Sequence, residues 1–272
     1  MDRTAIRARG EDVSAGQPIL RRGTVLRPAH LGLAASLGLA EIPVHARPRI
    51  AVLSTGDELA EPGRARASGQ IYDANRYSLS GMAEAEGATT VDLGIVADDR
   101  ATLTRRLTEA AARADVIMTS GGVSVGTHDL VRSVLAELGQ VDFWQVAMQP
   151  GRPIAFGLLA GRHFFGLPGN PVACMMTFLL LVRPALRKLG GRHDLDVERL
   201  QAVATEPMIK KRGRLEVKRG ILRATGEGWE VRTTGPQGSG ILSSMAAADC
   251  LIVLPEDRGD VAPGERVTVE RL

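Results

Sequence analysis

Residues 119–130, TSGGVSVGTHDL, stand between an apolar run at 115–118 and a segment whose Leu130, Val134 and Leu138 share one helical face. The run reads as a buried parallel strand, so strand, glycine loop and helix follow one another directly, which commits this part of the chain to an α/β layout. Gly121, Gly122 and Gly126 carry no Cβ, and such a loop can turn tightly and bring its N–H groups against an oxyanion. Asp129 falls in the first helical turn, where it either holds a Mg²⁺ bridging to a phosphate or favours the positive end of the helix.

The 272 residues, 44% of them apolar, exceed what one typical domain needs. A net charge of +3 with 3% aromatics leaves little material for the stacking platforms of single-strand nucleic-acid binders, and small anionic ligands suit it better. Cys174 and Cys250 have no metal-ligand spacing and read as reduced core thiols. The longest apolar run, 172–182, is too short to span a bilayer and no secretory pattern follows Met1, so the chain is expected to be cytoplasmic, with neither membrane nor nucleic acid as a partner.

In chain order, 10–26 alternates short apolar pairs with glycine turns and is expected to form a small β segment; a helix over 28–37 follows. Residues 49–54 predict a buried strand ending in Thr55, Gly56, Asp57 and Glu58, at the carboxyl edge where open α/β sheets bind ligands. Asp73 or Asn75 caps the next helix, 91–96 is a strand, and Asp98 is expected to cap the helix carrying Leu103 and Leu107. A strand over 141–148, the turn QPGRP (149–153) and a hairpin over 154–167 lead to a second glycine-bearing helix start, GLPGNPV, with Asn170 as N-cap and Pro171 in the first turn. Beyond Gly190 and Gly191, short runs separated by glycine or proline predict a small β-barrel or sandwich. Strand and helix alternation thus gathers Asp57, Glu58, Asp73, Asp129 and two glycine loops near one sheet edge, a composition suited to Mg²⁺-assisted handling of a phosphorylated ligand. Each residue also has a plainer reading: Asp73 as cap, Asp57–Glu58 as a solvated pair, Arg152 as an exposed hairpin arginine, His128 as a surface side chain, and the basic residues at 210–219 as a solvated strand face. No Walker A or GxGxxG pattern occurs.

The ordered set STGDEL, GQIYDANR, TSGGVSVGTHD, QPGRP and GLPGNPV closely resembles the MoeA family of molybdopterin molybdenumtransferases, also found as the E domain of gephyrin. The resemblance implies a MogA/MoaB-like three-layer α/β/α molybdopterin-binding domain over 48–191 and a C-terminal β-barrel domain over 192–272. Residues 1–47 are then a remnant of an elongated N-terminal domain, most of the family's N-terminal region lying outside the match. It implies a homodimer, and an enzyme that inserts molybdate into adenylylated molybdopterin with Mg²⁺ assistance and release of AMP. The upstream partner would be a molybdopterin adenylyltransferase.

Carried over by position, Glu58, Asp73 and Asp129 match acidic residues of the family's active site, with Asp73 and Asp129 as metal ligands. Thr55, Gly56, Asp57, Ser120, Gly121, Gly122, Ser124, Gly126, Pro168, Gly169, Asn170 and Pro171 match the substrate pocket. Gln149, Arg152 and Pro153 match the molybdate-binding turn, and Arg214 and Ser239 match barrel residues that complete the oxyanion site. Two positions depart from the pattern, Gln149 where many members have lysine and Ala173 where many have serine. The competing readings are a non-catalytic molybdopterin- or molybdate-binding or scaffold module, and a molybdopterin adenylyltransferase; the barrel and the GGVS form of the loop speak against the latter.

Overall fold

The computed structural model describes residues 8–123 and 128–272, apart from the side chains of His128 and Asp129. Helix α1 (Pro28–Ser36) precedes β1 (Arg49–Thr55), the short strands β2 (Leu59–Ala60) and β3 (Ile71–Tyr72), α2 (Asn75–Ala85), β4 (Thr89–Val96), α3 (Arg100–Arg113), β5 (Val116–Ser120) and α4 (His128–Leu138). Strands β6 (Gly139–Gln145), β7 (Met148–Gln149), β8 (Pro153–Leu159) and β9 (Arg162–Leu167) lead to α5 (Pro171–Thr177), a π turn (Phe178–Val182) and α6 (Arg183–Leu189). The remainder is β10 (Arg199–Ala204), β11 (Leu215–Thr225), β12 (Gly228–Thr233), α7 (Leu242–Ala246), β13 (Cys250–Leu254) and β14 (Arg266–Arg271).

The first sheet has the order β4-β1-β5-β9-β8-β6, with β4, β1, β5 and β9 parallel, β8 antiparallel to β9, and β6 antiparallel to β8. Its central strands are apolar on both sides because both faces are covered. Ile50, Val52, Val116 and Met118 pack with residues of α2, α5 and α6, while Ala51, Leu53 and Ile117 pack with residues of α3 and α4. This is the expected three-layer α/β/α arrangement. From β1 the chain crosses to β4 on one side and then to β5 on the other, so the strand order reverses between β1 and β5. A crevice opens at such a point, outside the carboxyl ends of the strands.

The second sheet runs β12-β10-β14-β13-β11 and closes when β11 pairs again with β12, giving a five-stranded barrel. Alternate residues fill it, among them Ala202, Ala204, Ile252, Leu254, Val267 and Val269. The opposite parity of β11 and β13 turns outward: Val217 and Leu251 join Met245 in the core beneath α5 and α6. A buried ion pair reinforces the contact, Arg183 of α6 meeting Glu270 of β14 at 3.4 Å, and Arg199 of β10 holds the other oxygen of Glu270 at 3.0 Å.

Three local expectations are corrected. Residues 10–26 form turns without strand pairing, because no described segment runs beside them to take their backbone hydrogen bonds. The expected strand over 141–148 is two strands, since the chain leaves β6 after Gln145 and β7 pairs in parallel with Leu215 and Glu216 of the barrel. Asp99, not Asp98, caps α3, accepting the Thr102 N–H at 2.8 Å. The helix opened by Pro171 continues past the apolar run: Pro184, lacking an N–H, stands at the start of α6, and a π turn widens the ladder just before it so that the helix reaches Leu189.

Candidate active site

Thr55 and Ser120 end β1 and β5 side by side at the reversal point, Ser54 pairing in register with Ser120. Gly121 and Gly122 follow Ser120 with φ of +89° and +70°, values that exclude ordinary side chains, and a Cβ on Gly121 would lie 2.7 Å from the Thr55 carbonyl oxygen. The Gly121 N–H is already committed, donating to Leu167 O at 3.0 Å, so an oxyanion must draw on donors beyond it. Gly169, in the second loop, approaches the first closely enough that its Cβ would sit 3.9 Å from Gly121 Cα. Pro168 is buried beneath this loop, Pro171 opens α5, and Asn170 holds the N-cap position without a side-chain capping bond. Ser124 and Gly126 lie outside the described residues, as does the side chain of Asp129, whose backbone is in the first turn of α4.

The acidic side of the crevice differs from the expected set. The Glu58 carboxylate folds over Gly56, where a Cβ would meet Glu58 Oε2 at 2.3 Å. Asp57 Oδ1 accepts the Asp98 N–H at 3.2 Å, which brings a third carboxylate to the pair. Desolvation first, then the charges of Asp57 and Glu58, push the Asp98 carboxyl above its ordinary range. None of the three forms an ion pair with a basic side chain among the described residues. Asp73, expected as a metal ligand, is instead spent within α2. Its Oδ1 accepts the Arg76 N–H at 3.2 Å, its Oδ2 pairs with Arg76 Nε at 3.0 Å, and its side chain is 1% exposed. Arg76 also grips Glu61 at 2.6 Å and Asp92, fastening the loop after Glu58 to α2 and β4. Sequence reasoning missed Asp98 because the adjacent Asp99 makes a capping aspartate indistinguishable from its neighbour by pattern alone.

On the opposite side the QPGRP turn packs against α5: a Cβ on Gly151, at φ +102°, would lie 2.5 Å from Thr177 Oγ1. Arg152 and Gln149 are exposed at this turn and Pro153 begins β8. The barrel reaches the same helix, for Val172 N–H donates to Ser239 O at 3.0 Å. The arginine that organises the Ser239 loop is Arg219. Arg219 is 1% exposed; its Nε donates to Ser244 Oγ at 2.9 Å, its Nη2 to Gly238 O at 3.1 Å, and its backbone N–H to Gln237 Oε1 at 2.8 Å. Burial lowers its pKa, and no carboxylate pairs with it among the described residues. Arg214 lies exposed just before β11. The signal for Arg219 was parity: it shares a face with Val217, which packs against the α/β layers.

The reversal of the parallel sheet, flanked by two glycine loops and by a turn that packs on α5, places the chain in the class of α/β proteins that bind ligands at the carboxyl ends of their strands. The model of the probable molybdopterin binding domain matches residues 51–188, that of the MoeA C-terminal region (domain IV) residues 201–272, and that of the MoeA N-terminal region (domain I and II) residues 2–38. The chain is 43% identical to the molybdopterin molybdenumtransferase of Haemophilus influenzae over 97% of its own length and 66% of the relative's. It is 40% identical to molybdopterin molybdenumtransferase 2 of Mycobacterium tuberculosis over the same shares. It therefore spans about two thirds of the length of these curated relatives. The molybdopterin biosynthesis MoeA protein of Pyrococcus horikoshii superposes with a TM-score of 0.81 at 30% identity, covering 96% of this chain and 64% of that one. The chain belongs to the MoeA family.

Proposed function

We propose that the chain catalyses the molybdenum-inserting step of molybdenum cofactor biosynthesis, taking molybdate into adenylylated molybdopterin with release of AMP. The observation that carries this reading is that the Ser239 loop of the barrel is bonded to the first turn of α5, beside the glycine loops and the QPGRP turn. Molybdate is a tetrahedral dianion; the exposed Arg152 and the Ser239 hydroxyl are suited to hold it, with the charge of Arg219 behind the loop. The glycine loops would receive the phosphorylated part of the pterin ligand.

Asp57, Glu58 and Asp98, mutually repelling and without a basic partner among the described residues, fit a hard cation better than Asp73 does. They do not form a closed three-ligand cluster, so a Mg²⁺ held there would draw most of its shell from water and substrate phosphate. When bound there, Mg²⁺ would offset phosphate charge. The reading takes the division near residues 47 and 191 as domain boundaries. It places the chain in the cytoplasm, downstream of a molybdopterin adenylyltransferase and as a homodimer; among the described residues no helix is long and apolar enough to cross a membrane.

The test is incubation of the purified chain with adenylylated molybdopterin, Mg²⁺ and molybdate, following AMP. Molybdate-dependent AMP release is expected. Tight binding of the pterin ligand without AMP release would replace the transferase reading with that of a binding module.

A further inference from the structure

We propose that Asn75 is a positioning residue that clamps the two glycine loops together and so fixes the width of the pocket receiving the phosphorylated end of the pterin ligand. Asn75 is the first residue of α2 and is 8% exposed. Its Nδ2 donates to Ser120 Oγ at 2.7 Å and to Gly169 O at 2.7 Å. Gly169 O can only accept, which fixes the amide with its nitrogen toward the loops. Ser120 opens the first loop and Gly169 lies within the second, and among the described residues no other side chain bonds to both.

Among the described residues, direct backbone bonding between the loops stops at Gly121, whose N–H donates to Leu167 O, so there the separation beyond that point depends on what bridges them. A single nitrogen bearing two hydrogens meets this need. A carboxylate of the same shape has no hydrogen to give Gly169 O, and an alanine reaches neither loop. The clamp is itself held in place, because Asp73 caps the helix around it and pairs with the adjacent Arg76. Donors that recognise a phosphate act only at the correct spacing, and displacement by about 1 Å costs on the order of a hundredfold.

The inference rests on the proposed pterin site, and the test separates the two. Asn75→Asp and Asn75→Ala are compared with the unaltered chain by thermal melting, by amide hydrogen exchange without ligand, and by titration with adenylylated molybdopterin and with molybdate. Exchange in peptides covering 118–123 and 166–170 is expected to rise about tenfold in both variants, with β1 and the barrel unchanged. Affinity for adenylylated molybdopterin should fall about tenfold while that for molybdate stays within about twofold. Unchanged exchange in the two loops would overturn the clamp, and so would an equal loss for both ligands, which marks a merely structural role. Raised loop exchange in variants of a chain that itself binds no adenylylated molybdopterin would support the clamp and overturn the pterin reading.

Discussion

Asp98 is held where its charge is unfavourable, beside Asp57 and Glu58, and its carboxyl is raised by desolvation and by those neighbours. A raised carboxyl pKa in the folded state means that ionisation opposes folding: the penalty is complete above the folded pKa and vanishes below the unfolded one. Asp98→Asn is therefore expected to raise the melting temperature of the ligand-free chain at pH 7, with the difference shrinking as pH falls through the acidic range. The same substitution should lower turnover by about a hundredfold if the carboxylate serves the bound cation; unchanged turnover would remove it from the site. Cys174 and Cys250 show the same effect of burial, both thiols being pushed up to about 12. Neither is expected to react with a thiol reagent until the chain unfolds, and prompt labelling of the native protein would contradict their placement. At this scale the sequence was an incomplete guide. The placement of Asp57 and Glu58 after β1 was legible, but that Asp73 is paired with Arg76 while Asp98 lies unpaired beside Asp57 was not, because a capping carboxylate and a free one look alike until the helix start is fixed. Arg219 was hidden within a run of basic residues whose neighbours at Lys211 and Arg212 are exposed.

The elements were legible wherever pattern and packing agree. The strand and helix alternation from β1 to α4, the β8–β9 hairpin and the helix opened by Pro171 all follow from apolar runs stopped by glycine, proline or a cap. The short piece at 10–26 failed because strand propensity without a pairing neighbour does not make a strand. At the start of the loop after β5 the conformation of Gly121 and Gly122 is tightly specified. Gly121→Ala would place a methyl 2.7 Å from the Thr55 carbonyl at a positive φ, so a loss of about 2 kcal/mol or more in stability is expected, read by denaturant unfolding. A loss under about 0.5 kcal/mol would show that the loop relaxes without strain. The break between β6 and β7 was not legible, because it depends on Met148 and Gln149 finding partners in a barrel strand more than sixty residues later.

Across the whole molecule the α/β layers and the barrel are joined by packing and hydrogen bonds. The β7–β11 pairing, the Val172–Ser239 hydrogen bond and the outward faces of Val217 and Leu251 all join them. The Arg183–Glu270 pair belongs to this joint. Glu270→Ala would leave Arg183 buried without its carboxylate, with Nε already lacking a partner, and is expected to cost about 3 kcal/mol by denaturant unfolding. Restoration by Arg183→Met in the same chain would attribute the loss to the unpaired charge. The central claim, that both units contribute to a single pterin and molybdate site, is tested most directly by a crystal structure of the chain with adenylylated molybdopterin. The account predicts the ligand's phosphates between the loops at Gly121–Gly122 and Gly169, with its sulfur-bearing end toward Arg152 and Ser239. A ligand seated away from these loops, or touching the α/β layers without approaching the barrel loop, would contradict it.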